Sequence, residues 1–399
     1  MAHIHTTRRA TGAALGLVTG LTLAALTVGT VPATAATASA ASPSALSSTR
    51  MPVGTKISTI ASTIPANGDV NPYGVAVVPT SVGSLHRGDV LVSNFNSSAN
   101  LQGTGTTIVQ VSPHGAVSTF ATINAANLPG ACPGGVGLTT ALSVLRSGWV
   151  IVGSLPTSDG TAATAQAGCL IVLDSHGTVR ETFSGNGING PWDMTAADYG
   201  SFAQLFVTNV LNGTVAGNGA VVNQGTVLRL SLVIPYGREP RLIATTEIGS
   251  GFPERTDPAA LVVGPTGVGL SPWGTLYVAD TEGNRIAAIP DASWRDWSAG
   301  TGQTVTEGGA LNSPLGLAIG KDDSILTVNG GDGFLVATSG RGDQIQKVQL
   351  DSSGTPPGAG ALFGLAVAPE GKGVYFVDDA TNTLNLLHCA CAEHGLSKG

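Results

Sequence analysis

An all-β fold built from six repeats of a four-stranded antiparallel sheet is the architecture this sequence predicts, on three observations. Gly and Pro are frequent (56 and 22 of 399 residues) and only 11% of residues are charged, a composition that punctuates short strands and argues against helical bundles and coiled coils. A hydrophobic fraction of 42% is ample for a packed core. Short apolar runs also recur in sets of three along the chain, each set opened by a turn bearing Gly or Pro.

The N-terminus reads as an export signal. Arg8 and Arg9 supply a positive flank, Ala13 to Val31 is uncharged and apolar, and Ala33-Thr34-Ala35 offers a small-x-small cleavage site, with Ala38-Ser39-Ala40 as a second. Residues 1–35 are therefore expected to be a cleaved signal peptide, and the Ala/Ser/Thr-rich stretch 36–50 a disordered spacer. The competing reading is a retained anchor, but the Gly, Thr and Ala content of the stretch suits one poorly. The expected location is extracytoplasmic, secreted or in the cell envelope, with no stable membrane insertion after cleavage.

The repeats occupy 51–388, ahead of a tail at 389–399. First runs lie at 72–77, 134–138, 191–194, 265–270, 314–319 and 363–367, and second runs at 90–92, 149–152, 205–207, 276–278, 325–328 and 374–377. Third runs are placed at 108–111, 170–173, 227–230, 286–289, 345–348 and 384–387. The first runs are apolar throughout, as strands buried on both faces are, and the third runs alternate, as half-buried strands do. Two turns nearly coincide: Ser112-Pro113-His114-Gly115-Ala116-Val117 and Asp174-Ser175-His176-Gly177-Thr178-Val179 each run on to a Phe, Phe120 and Phe183. The sixth unit lacks a fourth strand, and Lys56 to Ala61 is a strand without partners upstream. Pairing the two closes the ring and removes both exposed edges, which is the problem a β-propeller solves. A seventh blade remains open at this point if 293–310 holds further strands.

Pro265-Thr266-Gly267-Val268-Gly269-Leu270, followed by Gly274-Thr275-Leu276-Tyr277-Val278-Ala279-Asp280 and Asn284-Arg285-Ile286, resembles the NHL repeat. Copies at 71–120, 314–350 and 361–387 are looser, and those at 132–183 and 189–247 degenerate. The resemblance implies a six-bladed propeller. It leaves function open among binding platforms, lyases and lactonases.

Net charge is −7, with 25 acidic and 18 basic residues, and the five Lys never cluster. A surface that tracks phosphates needs clustered cations, so nucleic-acid binding is excluded. Cys132 and Cys169 fall within one repeat and are expected to form a disulfide. Cys389 and Cys391 sit in His388-Cys389-Ala390-Cys391-Ala392-Glu393-His394, where a zinc or copper site competes with the preferred reading of local or intermolecular thiol pairing.

In a propeller the loops entering the first strand and those joining the second to the third share one face. Here they carry Asn71 with Tyr73, Asn94, Asn189 with Trp192 and Asp193, Asn209, Asp280, Asn312, Asn329 and Asp379. Such a ring of oxygens suits sugar hydroxyls or a hard cation, whereas Asn and Asp in tight turns also bond their own backbone. Lactonase-type propellers hold a divalent metal through an early Glu, but no Glu precedes Glu181. Lyase-type propellers place His on this face, whereas His86, His114 and His176 fall on the opposite one. Arg341-Gly342-Asp343 reads as a Gly-rich turn. The residues thus favour an exported, monomeric, non-catalytic propeller binding a protein, small molecule or glycan at this face, with aromatic contact from Tyr73, Phe95 and Trp192. No cofactor is expected, calcium or another divalent ion being the exception. The alternative is a metal-assisted, lactonase-like hydrolase or a lyase in the central channel, with Asp193, Asp280 and Asp379 as metal ligands.

Overall fold

In the computed structural model the described residues, 53–389, form six antiparallel sheets. Each is a blade whose first strand faces a common axis. The inner strands, in order, are Val70–Val77, Leu138–Val144, Pro191–Asp198, Pro265–Leu270, Pro314–Ile319 and Leu362–Val367. Each packs on the next, and the last packs on the first. Val53–Ser62 pairs antiparallel with Thr383–Cys389, Ser58 opposite Leu386, so the N-terminal strand completes blade six as its outermost member. Thr63 then donates its backbone N–H and hydroxyl to the carbonyl of Asn382, and the Asn71 N–H donates to the Asn382 side chain, tying blade six to blade one. The expected signal peptide and spacer, the tail beyond Cys389 and the part of the ligand cluster that lies in it fall outside the described residues. Of that cluster, the His388 ring is hydrogen-bonded to the Ser58 hydroxyl at 2.8 Å across the closing pair.

Hydroxyls on second strands stitch neighbouring blades together. Ser93 donates to the Thr139 carbonyl at 2.7 Å and accepts from the Gly74 N–H, and Thr208 does the same between the Thr266 carbonyl and the Asp193 N–H. The repeated turns after third strands are one hairpin used twice, with Gly115 and Gly177 at φ of 85° and 78°, a region open to Gly at little cost.

Three expectations are corrected. The inner strand of blade two starts at Leu138; Gly134 to Gly137 form a loop held by the Cys132–Cys169 disulfide and by hydrogen bonds to Ala167 and Ser154. The third strand of blade five is Phe334–Thr338, because Gly330 to Gly333 make a tight turn, and 345–348 belongs to the outer strand Gln344–Gln349. Third strands such as Thr107–Val111 and Cys169–Leu173 are buried throughout, because flanking blades cover both faces; the mixed burial pattern belongs to outer strands such as Val117–Thr122. Residues 293–302 are a loop and Gln303–Glu307 is the fourth strand of blade four, so the blades number six.

Blade three departs from the others. Its fourth strand, Arg241–Asp257, is 17 residues long and turns back into Leu261–Val263, a fifth strand.

Two outcomes follow. A chain lacking residues 1–62 exposes Thr383–Cys389 as an open edge and should self-associate, seen as a shift to high mass in size-exclusion chromatography with light scattering. Cys132→Ser opens a loop of 37 residues and should lower unfolding free energy by about 2–4 kcal/mol in urea titrations.

Candidate functional site

The axial channel is closed at the face where the inner strands begin. Tyr73 is stacked between Phe95, with ring centroids 4.4 Å apart, and Phe363 at 3.9 Å, and Trp192 lies 6.2 Å from it. Leu315 and the returning strand Leu261–Val263 join the same cluster, and the Trp192 indole N–H donates to the Val262 carbonyl at 3.1 Å. The turn leading into that strand is pinned, since Asp257 accepts from the N–H groups of Ala259 and Ala260 and from Arg255, which also pairs with Glu282. The aromatic surface expected from Tyr73, Phe95 and Trp192 is therefore buried, each ring 2% exposed, because the rings fill the top of the axis. Burial, with Asp379 nearby, pushes the Tyr73 phenol well above its ordinary range.

Around this plug the polar residues singled out in the sequence mostly tie loops together. Asn94 donates to the Thr63 carbonyl and the Thr107 hydroxyl. Asn189 donates to Leu211 and Asn212, and its own N–H donates to Asn209. Asn329 donates to the Ala310 carbonyl and to Asp332. Asn312 is exposed, and its carbonyl accepts from the Gly331 N–H. The side-chain oxygens of Asn71, Asn94 and Asn329 are buried without a donor from the protein. Asp280 is buried against Arg285 at 2.8 Å and accepts from the Gly283 N–H. Burial outweighs these partners and raises its pKa. Asp379 is half-buried, and burial together with Asp378 raises its carboxyl to about 7. Glu254, which the sequence reading passed over, is fully buried with one oxygen accepting from the Asn212 N–H and is pushed up to about 8 by burial. Its place in a long strand without regular apolar alternation gave no signal.

A divalent ion takes several oxygen donors at once. Among the described residues no three His, Cys, Asp or Glu side chains come together. Asp193, Asp280 and Asp379 thus form no common site among the described residues.

Asp193 stands apart from the rest. It follows Trp192 on the inner strand and so lies below the plug, at the floor of a cavity of about 330 Å³ that opens where the inner strands end. One side chain from each blade rings this cavity: Val75, Leu142, Met194, Val268, Leu317 and Leu365. Thr140, Ser143 and Thr195 add hydroxyls. The Asp193 carboxyl is buried and accepts the Met194 N–H at 2.8 Å and the Val268 N–H at 3.0 Å. Burial overrides both bonds and lifts its pKa to about 8, so it carries a proton at neutral pH. Its sequence signal is positional: the matching residues of blades one, four, five and six are Gly74, Gly267, Gly316 and Gly364. The channel mouth is on the face of His86 and His176, although neither lines the cavity.

Asp193, Glu254 and Asp379 all hold protons in the folded chain that an unfolded carboxyl releases near pH 4. Their combined effect is that stability falls as pH rises from about 4 to 8. Asp193→Asn gives up one acceptor for a backbone N–H, a loss of about 1–3 kcal/mol. It also removes one of the three titrations. The variant's deficit in melting temperature should therefore be largest at pH 5 and should narrow by pH 8, checked by scanning calorimetry.

No protein-family model and no curated protein matches the chain. Solved structures share its fold. A gluconolactonase from Xanthomonas campestris is similar at 13% identity with a TM-score of 0.51, over 84% of this chain and 91% of that one. A luciferin-regenerating enzyme is similar at 10% identity and a TM-score of 0.51, over 83% and 94%. A virginiamycin B lyase from Staphylococcus aureus is similar at 14% identity and a TM-score of 0.46, over 84% and 99%. At 10–13% identity the two likenesses with a TM-score of 0.51 establish one thing about the chain, that it has the six-bladed propeller fold.

Proposed function

We propose that the chain is a small-molecule hydrolase or lyase working in its axial channel, with Asp193 as a proton-donating acid. The observation that carries this reading is a carboxyl that stays protonated at neutral pH on the floor of a concave site. Such a pairing of pocket and shifted acid is a mark of chemistry more than of packing. Both carboxyl oxygens are held by backbone N–H groups, which leaves the acid proton to point at a ligand oxygen. In hydrolysis of a small cyclic ester, water adds to the carbonyl carbon and the C–O bond to the leaving oxygen breaks. Asp193 gives its proton to that oxygen and regains one from the attacking water, so the acid is restored. A gluconolactonase among the structures of like fold supports the substrate class.

A second reading, ligand binding without turnover, is favoured by the channel lining, where Asp193 is the one titratable side chain and hydroxyls are the other polar groups. A panel of small lactones and esters, assayed by acid release in chelator-treated buffer, separates the two. Turnover should fall above about pH 8, where Asp193 loses its proton, and Asp193→Asn should lower kcat by at least about 100-fold, the share general acid catalysis supplies. An Asn variant as active as the wild type overturns the assignment. Thermal stabilisation by a ligand that is never consumed moves the protein to the second reading. Under either, we propose that the chain works outside the cytoplasm as a monomer.

A further inference from the structure

Three of the five tryptophans are exposed, and all three lie on one face of one blade. Trp273 is 80% exposed, Trp294 82% and Trp297 70%. Indoles are usually buried, and an isolated surface Trp gives up much of its apolar stabilisation. Trp273 sits in the turn between the first and second strands of blade four, and Trp294 and Trp297 sit in the loop between its third and fourth strands. Both segments project from the face where the channel opens. They are joined to each other, since the Ala292 N–H donates to the Gly274 carbonyl at 2.9 Å.

These rings are not exposed because the loop is loose. Blade three holds it from below: Gln204 donates to the Ser293 carbonyl and Arg229 to the Ala292 carbonyl, each at 3.0 Å. Ser250 and Ser298 share a hydrogen bond of 2.6 Å. The Trp273 indole N–H donates to Asp323 at 3.1 Å, and Arg295 bonds the Pro290 carbonyl with its guanidinium 6.0 Å from the Trp297 ring. The loop backbone and the Trp273 ring are thus held in place, which lowers the ordering a ligand must impose.

The neighbours of these rings decide what they suit. Asp291 and Asp296 are exposed beside them, Asp296 lying 3.6 Å from Arg229, and Asp323 is bonded to one of them. Carboxylates at this density oppose burial in a bilayer or under a dry protein interface, where each would have to shed water. Counting Arg229 and Arg295 against them, the three carboxylates are still in excess, which disfavours phosphates and uronates. A neutral sugar meets both demands, because its ring has an apolar C–H face for an indole and a rim of hydroxyls that donate to carboxylates.

We infer that the face of blade four carrying Trp273, Trp294 and Trp297 is a binding platform for a neutral glycan chain, separate from the axial channel. Isothermal titration with cellohexaose and chitohexaose tests it, with hexagalacturonate as the anionic control and phosphatidylcholine vesicles as the membrane control. At least one neutral hexasaccharide should bind, and the Trp294→Ala/Trp297→Ala pair should weaken it at least tenfold with an unchanged melting temperature. Trp294→Phe, which keeps an aromatic plane, should recover most of the loss of Trp294→Ala. The inference is overturned if neither neutral hexasaccharide binds at millimolar concentration, or if the double variant binds as the wild type does. It is equally overturned if hexagalacturonate binds as tightly, or if the vesicles bind and the double variant abolishes that binding.

Discussion

Crowding at the axis is the constraint from which the rest of this fold follows. Six inner strands converge there, and at one level the backbone of each blade presses on the next. A Cβ on Gly267 would collide with the Leu315 carbonyl, one on Gly316 with that of Phe363, and one on Gly364 with that of Tyr73. Glycine is required at these positions for close approach, since their φ values are not the left-handed ones for which glycine is otherwise kept. Blade three breaks the rule with Asp193, and there the side chain takes up the contact itself by accepting the Val268 N–H of blade four. One residue therefore bonds blade three to blade four and puts an acid in the channel.

The same crowding separates the two ends of the channel. Above the glycine level the inner strands carry Tyr73, Trp192, Leu315 and Phe363, large side chains that meet on the axis and exclude water. Below it they carry medium aliphatic side chains, one from each blade, that leave a cavity. Burial raises the pKa of Asp193, and on the plugged side the long hairpin of blade three that ends in Leu261–Val263 completes the packing around Trp192. The polar loops on the plugged face serve a different end. Asn94, Asn189, Asn209 and Asn329 spend their hydrogen bonds holding loops to one another.

Much of the architecture was legible because repetition averages out local ambiguity. Six sets of runs, a missing outer strand and an unpaired N-terminal strand have one economical solution, and Val53–Ser62 beside Thr383–Cys389 is that solution. Where a blade carries its own local signal the reading slipped. The Gly run at 134–137 looked like a strand opening, and polar alternation at 345–348 looked like a third strand although it marks an outer one. The Trp192-Asp193 pair could be seen as unusual for a turn, yet which of its two side chains would be walled off by aromatic rings and which would face the cavity could not.

What the amino-acid order determined by itself was the repeat of antiparallel blades and the closure of the ring by the N-terminal strand, because these rest on periodic burial and on unpaired edges, which are local properties. Tertiary packing decided which face of the channel is open, which carboxyls stay protonated and which tryptophans remain in solvent. Those outcomes depend on residues 70 or more apart meeting in one geometry, such as the Trp192 indole with the Val262 carbonyl and the Asp193 carboxyl with the Val268 N–H.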